Sequence, residues 1–232
     1  MDIAGKKIAY VTLGCKLNFS ETSTVRHQLE QAGAVTVEEN EEADIFIVNT
    51  CSVTDVAEKK GRQLIRKIAH HNPGAFVVVI GCYAQLRSEE LMAIAGVNLV
   101  LNAKDKLRVA QILKQTETQE RQETRTCDVS KLNDFDLAYS YGDRTRCFLK
   151  IQDGCDYFCS YCTIPFARGR SRSATVEQVA KAAKDAASRG IREIILTGVN
   201  TGDFGRGHEE SFLSLLKTLD GLDEVERFRV SS

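Results

Sequence analysis

The run Phe76-Val77-Val78-Val79-Ile80, closed by Gly81-Cys82, is the longest apolar stretch in the chain. It is far too short to span a membrane, and its β-branched content is that of a strand. A strand with no polar position in it is buried on both faces. Lys7 to Leu13 and Ile45 to Asn49 are two further short apolar runs of the same kind. Between these runs lie segments of helix length. One spans Ser20 to Gln31 and closes at Gly33; another spans Val56 to His70, ahead of Pro73-Gly74. Strands alternating with helices imply parallel βαβ units with helices on both faces, an α/β fold.

The pattern continues outward. Ser88 starts a third helix, its hydroxyl acting as the cap. Leu99 to Leu101 reads as a fourth strand, followed by a helix through Leu107 and Leu113. From Gln115 to Arg125 the chain is dense in Gln, Glu, Thr and Arg, and this stretch is expected to be a solvated helix end or linker. The alternative is a long surface loop within one domain. Beyond it a second βα series begins. Phe148 to Gln152 is a strand, Val176 to Arg189 a helix ended by Gly190, and Ile191 to Thr197 a strand. Phe212 to Leu219 is a helix and Val225 to Val230 a strand. The expected domains are 1–143, an open parallel sheet, and 144–232, whose three βα-type strands are too few to close a barrel and make either a small open sheet or an incomplete barrel.

Charge and composition exclude several classes. The 232 residues carry a formal net charge of -1, so the chain as a whole is not a polycationic nucleic-acid binder. The first residues, Met1 to Lys7, have no apolar segment after their charges, as a secretory signal would. A cytoplasmic, non-membrane protein is expected. Eight cysteines without a signal point to metal or redox chemistry rather than a disulfide scaffold.

Cys155, Cys159 and Cys162 share one loop at C-x₃-C-x₂-C spacing. Three thiolates so close can hold three irons of a [4Fe–4S] cube and leave the fourth iron open to a small chelating ligand. A structural zinc would want a fourth ligand, and free thiols are the remaining alternative. A second set depends on the strands. Cys15, Cys51 and Cys82 each lie just beyond the carboxyl end of an expected parallel strand, the edge at which open α/β sheets bind ligands. They either converge on a second cluster or are three buried cysteines acting as small apolar residues. Cys127 and Cys147 lack partners at ligand spacing and are expected to pack.

Other features are weaker. His70 and His71 fall at a helix end, where the dipole favours them, while His27 and His208 read as surface residues. Arg144, Arg146, Lys150, Arg168, Arg170 and Arg172 outnumber Asp153 and Asp156 around the cysteine loop, a basic patch that could meet phosphate oxygens. Gly198-Val199-Asn200 is a tight strand exit able to bring backbone carbonyls near a ligand's amino group.

Taken together, these segments resemble a known family. The loop Cys155 to Cys162 looks like the radical S-adenosylmethionine (SAM) signature. Thr12-Leu13-Gly14-Cys15-Lys16-Leu17-Asn18, Asn49-Thr50-Cys51-Ser52-Val53-Thr54 and Gly81-Cys82-Tyr83-Ala84-Gln85 resemble the three cysteine blocks of methylthiotransferases. Leu149 to Cys155 and Ile164 to Arg172 tighten the match, which is most similar to the threonylcarbamoyladenosine-modifying, MtaB-type branch.

The resemblance implies two [4Fe–4S] clusters and S-adenosyl-L-methionine as cofactors. The cluster on Cys155, Cys159 and Cys162 would chelate SAM and, on reduction, yield a 5′-deoxyadenosyl radical. That radical would take hydrogen from C2 of N6-threonylcarbamoyladenosine beside the tRNA anticodon. The cluster on Cys15, Cys51 and Cys82 would present or supply the sulfur, which a second SAM methylates. Tyr161 would pack near the adenine of SAM, and Gly198, Val199 and Asn200 would meet its methionine amino group. Partners would be the tRNA and an electron donor such as a flavodoxin or ferredoxin.

The resemblance also implies further barrel strands and an RNA-binding TRAM domain, which are expected to lie outside these 232 residues. The chain alone is therefore expected to bind clusters without turning over tRNA, and to be aggregation-prone at the sheet edge after Val230. Rival readings are another modified adenosine or a ribosomal protein as substrate, a two-cluster electron carrier, and a zinc-stabilised binding module.

Overall fold

Val77, Val78, Val79 and Ile80 are wholly out of water in the computed structural model, which describes residues 1–116, 122–140, 146–207 and 209–231. The chain forms two compact units, Met1–Val129 and Ser130–Ser232.

In the first unit, strands β1 (Lys7–Thr12), β2 (Val35–Val37), β3 (Ile45–Thr50), β4 (Phe76–Gly81), β5 (Val97–Val100) and β6 (Glu123–Thr124) form one sheet. Its order is β2-β1-β3-β4-β5-β6, and every pairing is parallel. All of β3 and β4 is buried, as strands covered on both faces must be. Helices α1 (Lys16–Gln31), α2 (Asp55–His71), α3 (Cys82–Leu86), α4 (Ser88–Met92) and α5 (Val109–Gln115) connect the strands. The strand order reverses between β1 and β3. In such sheets this reversal opens a crevice outside the carboxyl ends. Val11, Phe46, Val48, Ile65, Val77, Val79 and Tyr83 belong to one core cluster.

Several local expectations are corrected. Helix α1 starts at Lys16 with Cys15 as its N-cap, four residues earlier than its sequence predicts, because Asn18, Ser20 and Thr22 find buried partners there. Ser88 is not the cap of α4: Arg87 holds that position, with no side-chain cap bond. The reason is α3, which runs on from β4 to Leu86 and leaves no free extended residue before Ser88. Glu123 and Thr124, expected in a linker, pair with Leu99 and Val100 as the sheet's edge strand. Residues 117–121 of that stretch lie outside the described residues.

The second unit holds β7 (Ala138–Tyr139), β8 (Arg146–Lys150), β9 (Gln152–Asp153), α6 (Ile164–Arg168), β10 (Arg172–Ser173), α7 (Val176–Ser188), β11 (Glu193–Thr197), α8 (Phe212–Asp220) and β12 (Arg227–Ser231). Its main sheet has the order β12-β11-β8-β7, with β11 parallel to both β8 and β12 and β7 antiparallel to β8. Helices α7 and α8 both start with a capping box, at Thr175 and Ser211. They bury Val179, Ala183, Leu215 and Leu219 against Leu149, Ile194 and Leu196. The contact boundary at Val129 and Ser130 precedes the expected one at 143/144, because Ala138 and Tyr139 pair with β8. Residue Arg144 and His208 lie outside the described residues. No helix among the described residues is long and apolar enough to cross a membrane.

Candidate functional site

In the first unit, Cys51 and Cys82 directly follow Thr50 and Gly81, which are paired across β3 and β4. Cys15 follows β1 on the other side of β3, where Leu13 N–H donates to the Asn49 carbonyl at 2.8 Å. The three cysteines thus lie at one sheet edge, beyond three neighbouring strands. Cys15 is exposed, while Cys51 and Cys82 are buried.

Two glycines let the backbone close up here. Gly81 has φ +102°, and a Cβ on it would lie 2.3 Å from the Thr50 carbonyl oxygen. Gly14 has φ +120°, and a Cβ there would lie 3.0 Å from that of Cys51. Only glycine permits both the conformation and the approach.

Polar side chains fasten the three loops together. Asn18, on the first turn of α1, donates from Nδ2 to the Leu13 carbonyl at 3.2 Å, to Asn49 Oδ1 at 3.0 Å and to the Thr50 carbonyl at 2.9 Å. Asn49 returns a bond from Nδ2 to the Asn18 carbonyl at 2.9 Å. Thr50 Oγ1 donates to the Ile80 carbonyl at 2.7 Å. On the α2 side, Ser52 bonds Glu58, Glu58 lies 3.9 Å from Arg62, and Arg62 Nη1 donates to the Tyr83 hydroxyl at 2.5 Å. Burial raises the Tyr83 phenol above its ordinary pKa, although Arg62 opposes this. The first and second cysteine loops are therefore joined through asparagines, and the second and third through an arginine.

In the second unit, the loop bearing Cys155, Cys159 and Cys162 is clamped where it begins and where it ends. Cys155 N–H donates to the Gly169 carbonyl at 3.0 Å, and Gly154, at φ +74°, packs so closely that a Cβ would lie 2.0 Å from the Arg170 carbonyl oxygen. Asp153 is the anchor. Its Oδ1 accepts from Arg168 Nη1 at 2.9 Å and from Gly154 N–H at 2.9 Å, while Lys150 and Arg172 lie 3.5 and 3.6 Å from Oδ2. Arg172 also donates to the carbonyls of Arg168 and Arg170.

The expected phosphate-facing patch is therefore corrected at Lys150, Arg168 and Arg172, while Arg146 stays exposed. Lys150 and Arg168 are buried against Asp153, because a buried carboxylate needs cations more than solvent does. Arg170 remains exposed, stacked 4.7 Å over the Phe158 ring.

Gln152 connects this loop to the strand exit after β11. Its Nε2 donates to the Gly154 carbonyl at 2.8 Å and to Ser171 Oγ at 3.0 Å, and its Oε1 accepts from Asn200 N–H at 2.9 Å. A Cβ on Gly198 would lie 2.9 Å from that same Oε1. Gly198, Val199 and Asn200 are thus brought to the cysteine loop. Tyr161 points into solvent, 88% exposed.

Among the described residues, no three His, Cys, Asp or Glu side chains are grouped around a single-ion position. A cube spreads its thiolates over separate irons, so a triad of loop cysteines suits it by donor chemistry: soft thiols, with no carboxylate or imidazole among them. Cys147 is different. It is fully buried in β8, and burial pushes its thiol up to about 11. Cys127 lies after β6, its thiol donating to Gln85 Oε1 at 3.4 Å.

Sequence reasoning names the cysteines but not Asn18, Asn49, Gln152 and Asp153 as their supports. The available signal was position alone: each stands within three residues of a candidate ligand cysteine.

Comparison with known proteins follows the same division. Residues 7–102 match the uncharacterized protein family UPF0004, and residues 149–232 match the radical SAM superfamily. The chain is 37% identical over 229 residues to the threonylcarbamoyladenosine tRNA methylthiotransferase MtaB of Bacillus subtilis, covering 97% of this chain and 51% of that protein. With MtaB of Aquifex aeolicus it shares 34% identity over 231 residues, covering 97% and 56% respectively. With the tRNA-2-methylthio-N(6)-dimethylallyladenosine synthase of Pelagibacter ubique it shares 29%, covering 98% and 53%. The chain spans about half the length of the curated relatives it matches. Among solved structures, the radical SAM methyltransferase TsrM of Kitasatospora setae shares the fold, with a TM-score of 0.57 at 14% identity over 92% of this chain and 50% of that one.

Proposed function

Because this chain belongs to the radical SAM methylthiotransferase family, we propose that it serves in adding a methylthio group to C2 of N6-threonylcarbamoyladenosine beside the tRNA anticodon. The observation that carries this reading is the position of Cys15, Cys51 and Cys82 beyond three neighbouring parallel strands. A radical SAM loop alone would account for a radical; a second thiol triad would give the inserted sulfur a place to be held.

When bound, a [4Fe–4S] cluster and SAM supply one-electron cleavage of a sulfonium and, through it, hydrogen abstraction from an unactivated carbon. The chain's own residues would do the rest. Cys155, Cys159 and Cys162 would hold that cluster on a loop whose two ends Asp153, Arg168 and Gly169 fix. Tyr161 offers an open ring to the adenine of SAM. Gly198, Val199 and Asn200 would receive its amino group, positioned by Gln152. Cys15, Cys51 and Cys82 would hold a second [4Fe–4S] cluster. An electron donor of the flavodoxin or ferredoxin class would reduce the clusters, and the tRNA substrate makes the cytoplasm the place of action.

Anaerobic reconstitution tests the cofactor assignment. The wild type should hold iron and sulfide for two cubes, and alanine replacement of either triad should leave one. Loss of all iron on replacing a single triad would overturn the assignment. Nucleoside mass spectrometry of tRNA from a deletion strain tests the substrate. The methylthio-threonylcarbamoyl nucleoside should vanish and its unthiolated precursor accumulate; an unchanged profile would refute the assignment.

A further inference from the structure

Helix α1 is polar yet buried over its first half: Asn18, Ser20, Glu21, Thr22, Ser23 and Thr24 are all shielded from water. Polar groups placed out of water need partners. Those of Asn18 are distinctive, because they belong to two different cysteine loops. Nδ2 donates to the carbonyl of Leu13, just before Gly14-Cys15, and to that of Thr50, just before Cys51. The Oδ1 of Asn18 accepts from the Cys15 thiol at 3.4 Å. Asn49 closes the arrangement by donating to both the Asn18 carbonyl and Thr22 Oγ1, at 2.9 and 3.0 Å. Thr22 in turn accepts from Thr12 Oγ1 at 2.8 Å, so the end of β1 is held by the same helix. The side chain of Asn18 fills the space beside Gly14, where a Cβ would lie 3.2 Å from Nδ2.

We propose that Asn18, braced by Asn49, is a positioning residue that sets the separation of the Cys15 and Cys51 sulfurs for the cluster of the first unit. This inference rests on the reading of Cys15, Cys51 and Cys82 as a cluster triad. Binding iron removes the Cys15 S–H proton, so the sulfur contact to Oδ1 does not persist in the loaded protein. The Nδ2 bonds to the two loop carbonyls involve no thiol proton, so iron binding does not itself remove them. They hold the backbone of one ligand against that of the other, whatever the sulfur state. Groups behind metal ligands that orient them in this way typically change metal affinity by about 10- to 100-fold when removed.

The test uses the full chain with Cys155, Cys159 and Cys162 replaced by alanine, so that iron reports on the first unit alone. Asn18→Ala and Ser20→Ala are made in that background. Ser20 is equally buried on the same helix, but among the described residues its hydroxyl bonds only the local Leu17 carbonyl. After anaerobic reconstitution, Asn18→Ala should release iron to a ferrous chelator about tenfold faster than the parent. It should also shift the electron paramagnetic resonance signal and midpoint potential of the reduced cluster. Ser20→Ala should leave all three readouts at parent values.

Equal iron release and equal spectra for Asn18→Ala and the parent would overturn the proposal, as would equal effects from both variants. Should Asn18→Ala fail to fold by circular dichroism, Asn49→Ala decides on the same readouts. That variant keeps the bonds from Asn18 to Leu13 and Thr50 while removing their brace, and parent-like behaviour would count against the proposal. A parent that binds no iron at all would refute the triad itself, and this inference with it, which separates that failure from an unaffected Asn18→Ala.

Discussion

Arg168 and Asp153 meet at 2.9 Å with both side chains almost wholly removed from water, and between them in sequence runs the loop that carries Cys155, Cys159 and Cys162. The pair fastens the two ends of that loop like a clasp. Breaking a buried pair from one side leaves an uncompensated charge, at a cost of about 3–5 kcal/mol. Arg168→Met should therefore destabilise the second unit in chemical denaturation, by less than that, because Lys150 and Arg172 still face Asp153. Asp153→Asn should cost more, because Lys150 and Arg172 also face this carboxylate. Iron binding at the Cys155 triad should fall in both variants while the first unit keeps its own.

Gly81 offers a sharper test of the sheet edge. Its φ of +102° and ψ of -169° lie in a region open essentially to glycine alone. Gly81→Ala adds strain of about 1–3 kcal/mol. Its Cβ would also meet the Thr50 carbonyl oxygen at 2.3 Å, and such overpacking costs about 1–3 kcal/mol more. The variant should show a depressed melting temperature and lose iron from the Cys15, Cys51, Cys82 set. Gly74→Ala, where a Cβ meets nothing within 4 Å, is the control and should do neither.

Most of the fold is legible in the sequence because Ile45 to Val48 of β3 and Phe76 to Ile80 of β4 are unbroken apolar runs and Gly33 and Pro73 follow the first two helices. The cysteine positions follow from those strand ends. What periodicity cannot show is a helix like α1, whose buried residues include Asn18, Ser20, Glu21, Thr22, Ser23 and Thr24 alongside Leu17, Val25 and Leu29. Its burial depends on partners in Leu13, Asn49 and Thr50, which only the folded sheet brings near. Short elements such as β2 and β6 are equally silent, being defined by pairing with a neighbour rather than by their own residues. Asp153 and Arg168 read as part of a charged surface because nothing in their order in the chain reveals that they face each other.

Asp44 gives the acid side of the pH profile. Its Oδ2 accepts from Lys7 N–H at 2.8 Å and its Oδ1 from Lys6 Nζ at 3.2 Å. The bond from the Lys7 backbone lowers its pKa most, with Lys6 assisting. A carboxyl depressed in the folded state stabilises above its unfolded pKa of about 3.9 and loses that contribution as pH falls through the folded value. Asp44→Asn should therefore be less stable than wild type at pH 7. The gap should close in urea titrations run at progressively lower pH below about 4. A gap of constant size would mean that the charge is not what matters.

Cys147 gives the alkaline side. Its thiol is fully buried in β8 and burial pushes it up to about 11, against about 8.5 for an exposed cysteine. The folded state keeps the proton where the unfolded state gives it up. A raised folded pKa means a contribution that is whole below about 8.5 and is lost as pH climbs towards the folded value. The loss amounts to roughly 1.4 kcal/mol per pH unit across that interval. Stability measured in urea between pH 8 and 10.5 should therefore fall less steeply for Cys147→Ala than for wild type. The same burial predicts the order of chemical labelling in the iron-free chain. Iodoacetamide at pH 8 should modify the exposed Cys15 and Cys159 first and Cys147 last, as read by peptide mass spectrometry. Early modification of Cys147 would show that β8 opens far more readily than its packing against Leu196 and Ala183 implies.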